Sequence, residues 1–295
     1  MSRSAGCSVA IAFALCSSIV AVCGDTFAAS PKLVEFEGAA QPLDQLQERL
    51  ALERGKIPKA IRGDRLRGFL AKPEGDGPFP ALVALHGCTG LPEAVVQGGS
   101  ERAVSSGYVI LLVDSFTTRA IDHTCTPDRY AAVDIAKRTL DAYGALLFIA
   151  RQPFVDAHRV AVVGASQGGM VTLSLAQEHA RNPIVNPDNL AFRAAIALYP
   201  GCGVVSARPS IPTLILVGEL DDWTPVNDCV RAMAYWGTAG APIELVTYPG
   251  AHHAFDVQIF QPGRMMFGHL VEYHAEAAEN ARRKMRVFLA EYLAR

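Results

Sequence analysis

Ser166 stands in a motif that can turn a serine into a nucleophile. It is the central residue of Gly164-Ala165-Ser166-Gln167-Gly168, a G-x-S-x-G sequence between a strand pattern and a helical pattern. In such a tight turn the serine hydroxyl projects out of the sheet, and side chains at the glycine positions would collide with the neighbouring strand and helix. The amide of Gln167 then points to where an oxyanion would form. A packing turn with an incidental serine is the alternative interpretation.

Carboxylate and imidazole side chains follow two later strand patterns. Asp221 and Asp222 come after the first of these patterns, and His252 and His253 come after the second. A serine hydroxyl becomes a good nucleophile when an imidazole takes its proton, and a carboxylate must hold that imidazole in the right tautomer. The chain order serine, aspartate, histidine is that of the α/β-hydrolase fold. Either aspartate could instead cap the helix that follows, and either histidine could be a solvated loop residue.

Alternating strand and helix patterns would position these residues. Continuous apolar runs, typical of strands buried on both faces of a parallel sheet, occupy residues 81–85, 108–113, 159–163, 194–198, 213–217 and 243–248. The helical patterns between and after them cover residues 131–149, 168–180, 226–236 and 275–293. The sequence therefore predicts a doubly wound α/β fold with a mostly parallel sheet and helices on both faces. In such sheets, functional residues lie at the carboxyl ends of the strands.

Three motifs together resemble the dienelactone hydrolase family of α/β hydrolases. The family has a nucleophile turn ending in Gly-Gly, then G-x-x-D-x-x-x-P, then Y-x-G-A-x-H-x-F. The corresponding segments here are 164–169, 218–225 and 248–255. The resemblance implies that Ser166, His253 and Asp221 form a catalytic triad. It leaves Asp222 to cap a helix and places His252 at a variable position of the family.

The resemblance also implies a second oxyanion donor. Segment 86–90, H-G-C-T-G, follows the strand pattern at 81–85, where α/β hydrolases place such a loop. The backbone amide of Cys88 is then expected to join that of Gln167 in an oxyanion hole. His86 is expected to be a structural histidine that bonds loop carbonyls.

Differences from the family bear on the substrate. Its namesake enzymes have a cysteine where Ser166 stands, and a glutamate where this sequence has Ala84. They hold a substrate carboxylate with two arginines. Arg119 lies near one of these positions and is expected to be either a substrate-binding or a solvated loop residue, whereas Val257 stands at the other. A serine esterase is therefore expected rather than a true dienelactone hydrolase.

Residues 1–28 resemble a secretory signal peptide, with Arg3, an uncharged apolar run and small residues before the cleavage site. A membrane anchor is the alternative, but the run is short for a bilayer span of about 20 residues. We expect a periplasmic or secreted protein that does not associate with membranes after cleavage. Residues 29–60 are expected to form an N-terminal extension, and residues 61–295 the hydrolase domain.

Cysteine usage agrees with export, since four cysteines remain after the signal segment and oxidising compartments favour disulfides. Three pairings are possible. Cys88–Cys125 and Cys202–Cys229 are favoured, because each pair lies in loops that the predicted fold gathers at one end of the sheet. A zinc site is the alternative, but the chain has no Cys-x-x-Cys sequence or Cys/His cluster at ligand spacing.

The composition excludes other function classes. The chain has 295 residues, 50% of them hydrophobic, and a net charge of −2, so it lacks the basic excess of a nucleic-acid binder. No metal or organic cofactor is expected. We predict a secreted serine hydrolase that cleaves a small carboxylic ester or lactone through an acyl-enzyme. The alternatives are a peptidase resembling the prolyl oligopeptidase group and a non-catalytic binding protein on the same fold.

Overall fold

An eight-stranded sheet forms the centre of the protein. The computed structural model describes residues 30–130, 134–177, 184–204 and 207–294. The strands of these ranges are β1 (Lys32–Glu37), β2 (Arg65–Ala71), β3 (Phe79–Leu85), β4 (Val109–Asp114), β5 (Val155–Ala165), β6 (Ala194–Leu198), β7 (Thr213–Gly218), β8 (Ile243–Tyr248), β9 (Arg264–Met266) and β10 (His269–Val271). The helices are α1 (Gln45–Glu53), α2 (Glu93–Ser105), α3 (Pro127–Tyr130), α4 (Ile135–Ala150), α5 (Gln167–Leu175), α6 (Val226–Trp236) and α7 (Ala275–Tyr292).

Parallel pairing dominates the sheet, whose spatial order is β1-β2-β4-β3-β5-β6-β7-β8. Every neighbouring pair from β4 to β8 is parallel. This arrangement confirms the predicted doubly wound α/β fold, and all six predicted strands are present. Strand β5 extends beyond the predicted 159–163 at both ends and stops directly before Ser166.

The sequence pattern does not predict the outer strands β1 and β2. Strand β2 runs antiparallel to both β1 and β4. In β2, Arg65, Arg67 and Gly68 interrupt the apolar residues, so the strand has no continuous apolar run. Continuous apolar runs identify the central strands and miss this pattern. Strand β1 also places part of segment 29–60, expected as a polar extension, within the sheet.

Helices cover both faces of the sheet. Leu111 of β4 shares an apolar cluster with Leu146 of α4, and the next residue, Leu112, shares a different cluster with Phe288 of α7. Successive strand residues point to opposite faces, so the two clusters are the two layers of the core. Helix α5 joins the first layer through Val171, and α2 packs in the second.

The carboxyl ends of β3, β5, β7 and β8 therefore lie at one edge of the sheet. The predicted signal peptide, residues 1–28, is outside the described residues, as are 131–133 and 178–180 of two predicted helices. Within the described ranges, no helix is long and apolar enough to cross a bilayer.

Candidate active site

Ser166, His253 and Asp221 meet at the carboxyl edge of the sheet. Nε2 of His253 lies 3.0 Å from Oγ of Ser166, and Nδ1 of the same ring lies 2.7 Å from Oδ2 of Asp221. The histidine and the aspartate are buried, with 3% and 4% of their surfaces exposed. The structure thus joins the three residues in one hydrogen-bonded chain, although 87 positions separate the serine from the histidine in sequence.

Backbone strain at Ser166 follows from its place between β5 and α5. Its φ is 54° and its ψ is −119°, a conformation that residues with a side chain rarely adopt. A Cβ on Gly164 would lie 2.1 Å from the carbonyl oxygen of Gly168, and one on Gly168 would lie 2.2 Å from that of Leu85. Only glycine fits at these two positions, because strand, turn and helix are in backbone contact there.

The carboxylate of Asp221 is held by its own loop after β7. Its Oδ1 accepts hydrogen bonds from the amides of Trp223 and Thr224, and its Oδ2 accepts one from Oγ1 of Thr224. The expectation that Asp222 caps the next helix is wrong, since the residue at the N-cap of α6 is Pro225 and makes no side-chain capping bond. The neighbouring side chain of Asp222 is 54% exposed.

Aromatic rings enclose the imidazole of His253. Tyr199 approaches it edge-on with ring centroids 4.7 Å apart, and Trp223 lies 5.0 Å away. The hydroxyl of Tyr199 donates to Asp256, and burial together with this carboxylate raises the pKa of Tyr199. These contacts fix the plane of the imidazole. In contrast, His252 is only half-buried.

Segment 86–90 lies against the serine. A Cβ on Gly87 would be 3.3 Å from Cβ of Ser166, so the backbone around Cys88 runs beside the hydroxyl. Cys88 is bonded to Cys125, and the amide of Thr124 donates to the carbonyl of Cys88. The loop after β4 therefore holds this segment in place.

A buried arginine, Arg138 of α4, joins segment 86–90 to the serine turn. Its guanidinium donates to Oε1 of Gln167 at 2.9 Å and to the carbonyl of His86 at 2.7 Å. No described carboxylate forms an ion pair with it, and its Nε has no partner in the described residues. Burial lowers the pKa of Arg138 to about 10. The sequence interpretation missed this residue. The sequence feature that could have revealed it is a positive charge on the helix face that also carries the apolar residues Ala142 and Leu146.

His86 has the structural role expected of it. Its Nδ1 donates to the carbonyl of Gly87, and its Nε2 accepts from the amide of Ser115, which defines the neutral Nδ1–H tautomer. Burial, with a further contribution from Arg138, lowers the pKa of His86 to about 3.

Arg119 is occupied by other side chains. Its guanidinium bonds Asp141 through two nitrogens and Asp64 through the third, and it also donates to the carbonyl of Ser115. Its side chain is 10% exposed. Neither expectation, substrate binding or a solvated loop position, fits this arrangement, because the donors that would hold a substrate carboxylate already hold two carboxylates of the protein.

Two disulfides have the pairing that the sequence favours, Cys88–Cys125 and Cys202–Cys229. Cys202 follows β6 and Cys229 lies in α6, and both are buried. This second bridge ties the start of α6, just after the Asp221 loop, to the neighbouring connection. In the described part of the chain, no group of three or more His, Cys, Asp and Glu residues could hold a metal ion.

The fold and this site define an α/β hydrolase. The model of the dienelactone hydrolase family matches residues 66–293, and the chain belongs to that family. Cutinase est1 of Thermobifida alba is 30% identical over 161 residues, 54% of this chain and 48% of that protein. Cutinase cut1 of Thermobifida fusca is 30% identical over 77% of this chain and 65% of its own length. The chain thus spans from about half to just under two thirds of the length of these relatives.

Solved structures show the same fold. The dienelactone hydrolase-like promiscuous phosphotriesterase P91 from metagenomic libraries superimposes with a TM-score of 0.59 at 18% identity. The match covers 88% of this chain and 98% of P91. At this level of identity the likeness concerns the fold alone.

Proposed function

We propose that the protein is a serine hydrolase of carboxylic esters or lactones, with Ser166 as nucleophile, His253 as base and Asp221 as the residue that orients the base. The observation that carries this proposal is the hydrogen-bonded chain from Asp221 through His253 to Ser166 on a strained turn. A merely structural serine needs neither the strain nor a buried imidazole–carboxylate pair behind it.

The reaction runs in two halves. Oγ of Ser166 attacks the ester carbonyl carbon while its proton moves to Nε2 of His253, and the carbonyl oxygen becomes an oxyanion. The imidazolium then gives that proton to the alcohol oxygen, which leaves, and an acyl-serine remains. Water repeats the sequence with His253 as base and releases the acid. Asp221 keeps Nδ1 protonated and stabilises the imidazolium.

The amides of Gln167 and Cys88 are the proposed oxyanion donors. Gln167 is the first residue of α5, so its amide lies at the positive end of the helix. Cys88 lies in the segment that contacts Ser166. Donors fixed before the reaction stabilise developing charge without reorganisation, and the Cys88–Cys125 disulfide and Arg138 provide that rigidity.

Relatives and disulfides bear on the substrate and the compartment. The matched relatives are named cutinases, which are ester hydrolases, and the family name denotes a lactone hydrolase. We therefore propose a small ester or lactone as substrate. Two disulfides belong to an oxidising compartment, which supports export by the predicted signal peptide. No metal or organic cofactor takes part in the proposed steps.

A labelling experiment tests the proposal. The wild-type protein should react with a serine-directed fluorophosphonate probe and hydrolyse simple esters, whereas Ser166→Ala should do neither and should lose about 10⁴- to 10⁶-fold in kcat. Ser105→Ala, an exposed serine of α2, is the matched control and should behave as wild type. Labelling with cleavage of peptide amides only would favour the peptidase alternative, and no labelling would favour a binding protein.

A further inference from the structure

Four aromatic rings form a series from the imidazole of His253 to the loop that holds Cys125, and a fifth ring stacks beside them. Trp223 lies 5.0 Å from His253 between centroids, Phe267 lies 6.0 Å from Trp223, and His123 lies 5.0 Å from Phe267. His269 stacks on Trp223 at 4.9 Å with the planes 14° apart. The rings of Trp223, Phe267, His269 and His123 are called the aromatic wall below.

Phe267 sits at the tip of a hairpin where its backbone is unfavourable. Met266 pairs with His269, so Phe267 and Gly268 form a two-residue turn, with φ values of 52° and 92°. Such turns strongly prefer asparagine, aspartate or glycine at the first position, and a bulky residue there is an outlier. The side chain is also 44% exposed. The turn geometry disfavours phenylalanine, and its ring remains partly exposed although it packs against Trp223 and His123. This combination points to a ligand that uses the ring.

The hairpin is anchored to the segment that carries the base. Val271 of β10 forms a β-bridge with His253, and the amide of Glu272 donates to the carbonyl of His253. Phe267 therefore projects from a support that is fixed relative to the imidazole. A ring held in this way can select the shape of a bound group.

The chemistry of ester cleavage says which half of the substrate faces the wall. His253 must give its proton to the alcohol oxygen, so that oxygen lies within hydrogen-bond reach of Nε2. Groups attached to the alcohol oxygen extend past the imidazole. Of the two rings that flank the imidazole, Tyr199 is buried and Trp223 is partly exposed, and Trp223 also contacts Phe267. We infer that the aromatic wall binds the alcohol half of the substrate and favours alcohols that carry a flat aromatic ring, such as benzyl alcohols. This inference rests on the proposed function.

Matched esters of two primary alcohols test the inference, and comparison with a variant removes any difference in their intrinsic reactivity. Benzyl butyrate and cyclohexylmethyl butyrate both release a primary alcohol with a six-membered carbon ring, and they differ in the flatness of that ring. Wild-type protein should show a kcat/KM about two- to tenfold higher for the benzyl ester, the range expected for one aromatic pair. Phe267→Leu should lower the kcat/KM for benzyl butyrate by more than that for cyclohexylmethyl butyrate, and it should thereby remove most of this preference.

Two controls separate the inference from simpler explanations. Met265→Leu changes a residue of the same hairpin that is 64% exposed, and it should retain the benzyl preference. Methyl phenylacetate and methyl cyclohexylacetate carry the rings on the acid side, and Phe267→Leu should change their kcat/KM equally or not at all.

The outcomes distinguish this inference from the proposed function. Equal losses for both butyrates in Phe267→Leu, or a ring preference confined to the acid side, would overturn the inference while ester hydrolysis stands. A wild-type protein that neither reacts with the fluorophosphonate nor cleaves any of the four esters would overturn both.

Discussion

Acidification should destabilise this protein through His86, which is buried and neutral in the segment beside Ser166. Its pKa is lowered to about 3 in the folded protein, mainly by burial, whereas an unfolded histidine has a pKa of about 6.5. Between these values the unfolded chain binds a proton that the folded protein does not. Stability contributed by the neutral form is therefore complete above about pH 6.5 and is lost progressively as the pH falls towards about 3.

The magnitude follows from the distance between the assay pH and the unfolded pKa. An assay at pH 5 lies about 1.5 pH units below the pKa of the unfolded histidine. Each of these units stabilises the unfolded chain by about 1.4 kcal/mol, so the free energy of unfolding falls by about 2 kcal/mol. At about pH 7.5 the loss is close to zero. His86→Gln removes the titration, and its side-chain oxygen can still accept from the amide of Ser115. Other groups titrate in both proteins and cancel in the comparison.

Urea unfolding of both proteins at the two pH values measures the effect. The free energy of unfolding of the wild type, taken relative to that of His86→Gln, should decrease by about 2 kcal/mol between about pH 7.5 and pH 5. A difference that stays constant would refute the reasoning. It would mean that His86 titrates alike in the folded and unfolded states, and hence that the ring is solvated in the folded protein.

Further predictions concern the serine turn and its supports. Replacing both Cys88 and Cys125 by serine should lower the free energy of unfolding in urea by about 4 kcal/mol, because the bridge joins residues 37 positions apart, and should also lower kcat. Gly168→Ala should abolish esterase activity in purified protein, since its Cβ would lie 2.2 Å from a carbonyl oxygen of β3. In kinetic assays His253→Ala should be inactive and His252→Ala nearly normal; the reverse would shift the proposed base by one residue.

The central strands and the serine turn are predictable from sequence because their physical causes are local. Strands buried on both faces need continuous apolar residues, and the turn at Ser166 needs glycines two positions away on each side. Asp221 and His253 stand in the loops that follow β7 and β8, so the topology brings them together. The edge strand β1 escapes prediction because four of its six residues are exposed and the pattern resembles that of a polar segment.

Residues that act through distant contacts are not predictable in this way. Arg119 lies beside a strand end, as a ligand-binding residue would, but Asp64, 55 positions earlier, and Asp141 occupy it. In the sequence, Arg138 resembles an ordinary charged residue of a helix. Its role follows only from the packing of α4 beneath the serine turn. Phe267 resembles an exposed loop residue, and it contacts His123, which lies far from it in the sequence. Such roles depend on which elements the tertiary structure places side by side.

The supports of the serine turn also bear on the proposed mechanism. Oε1 of Gln167 accepts hydrogen bonds from both Arg138 and Thr124. Arg138 also holds the carbonyl of His86, and the amide of Thr124 holds the carbonyl of Cys88. Two connections, both through Oε1 of Gln167, thus join Gln167 to segment 86–90, which carries the other proposed oxyanion amide. Donors fixed in advance stabilise charge without reorganisation. Arg138 is a buried cation that pairs with no carboxylate of the described residues, and desolvation makes its own contribution to stability unfavourable, so this double connection explains it better.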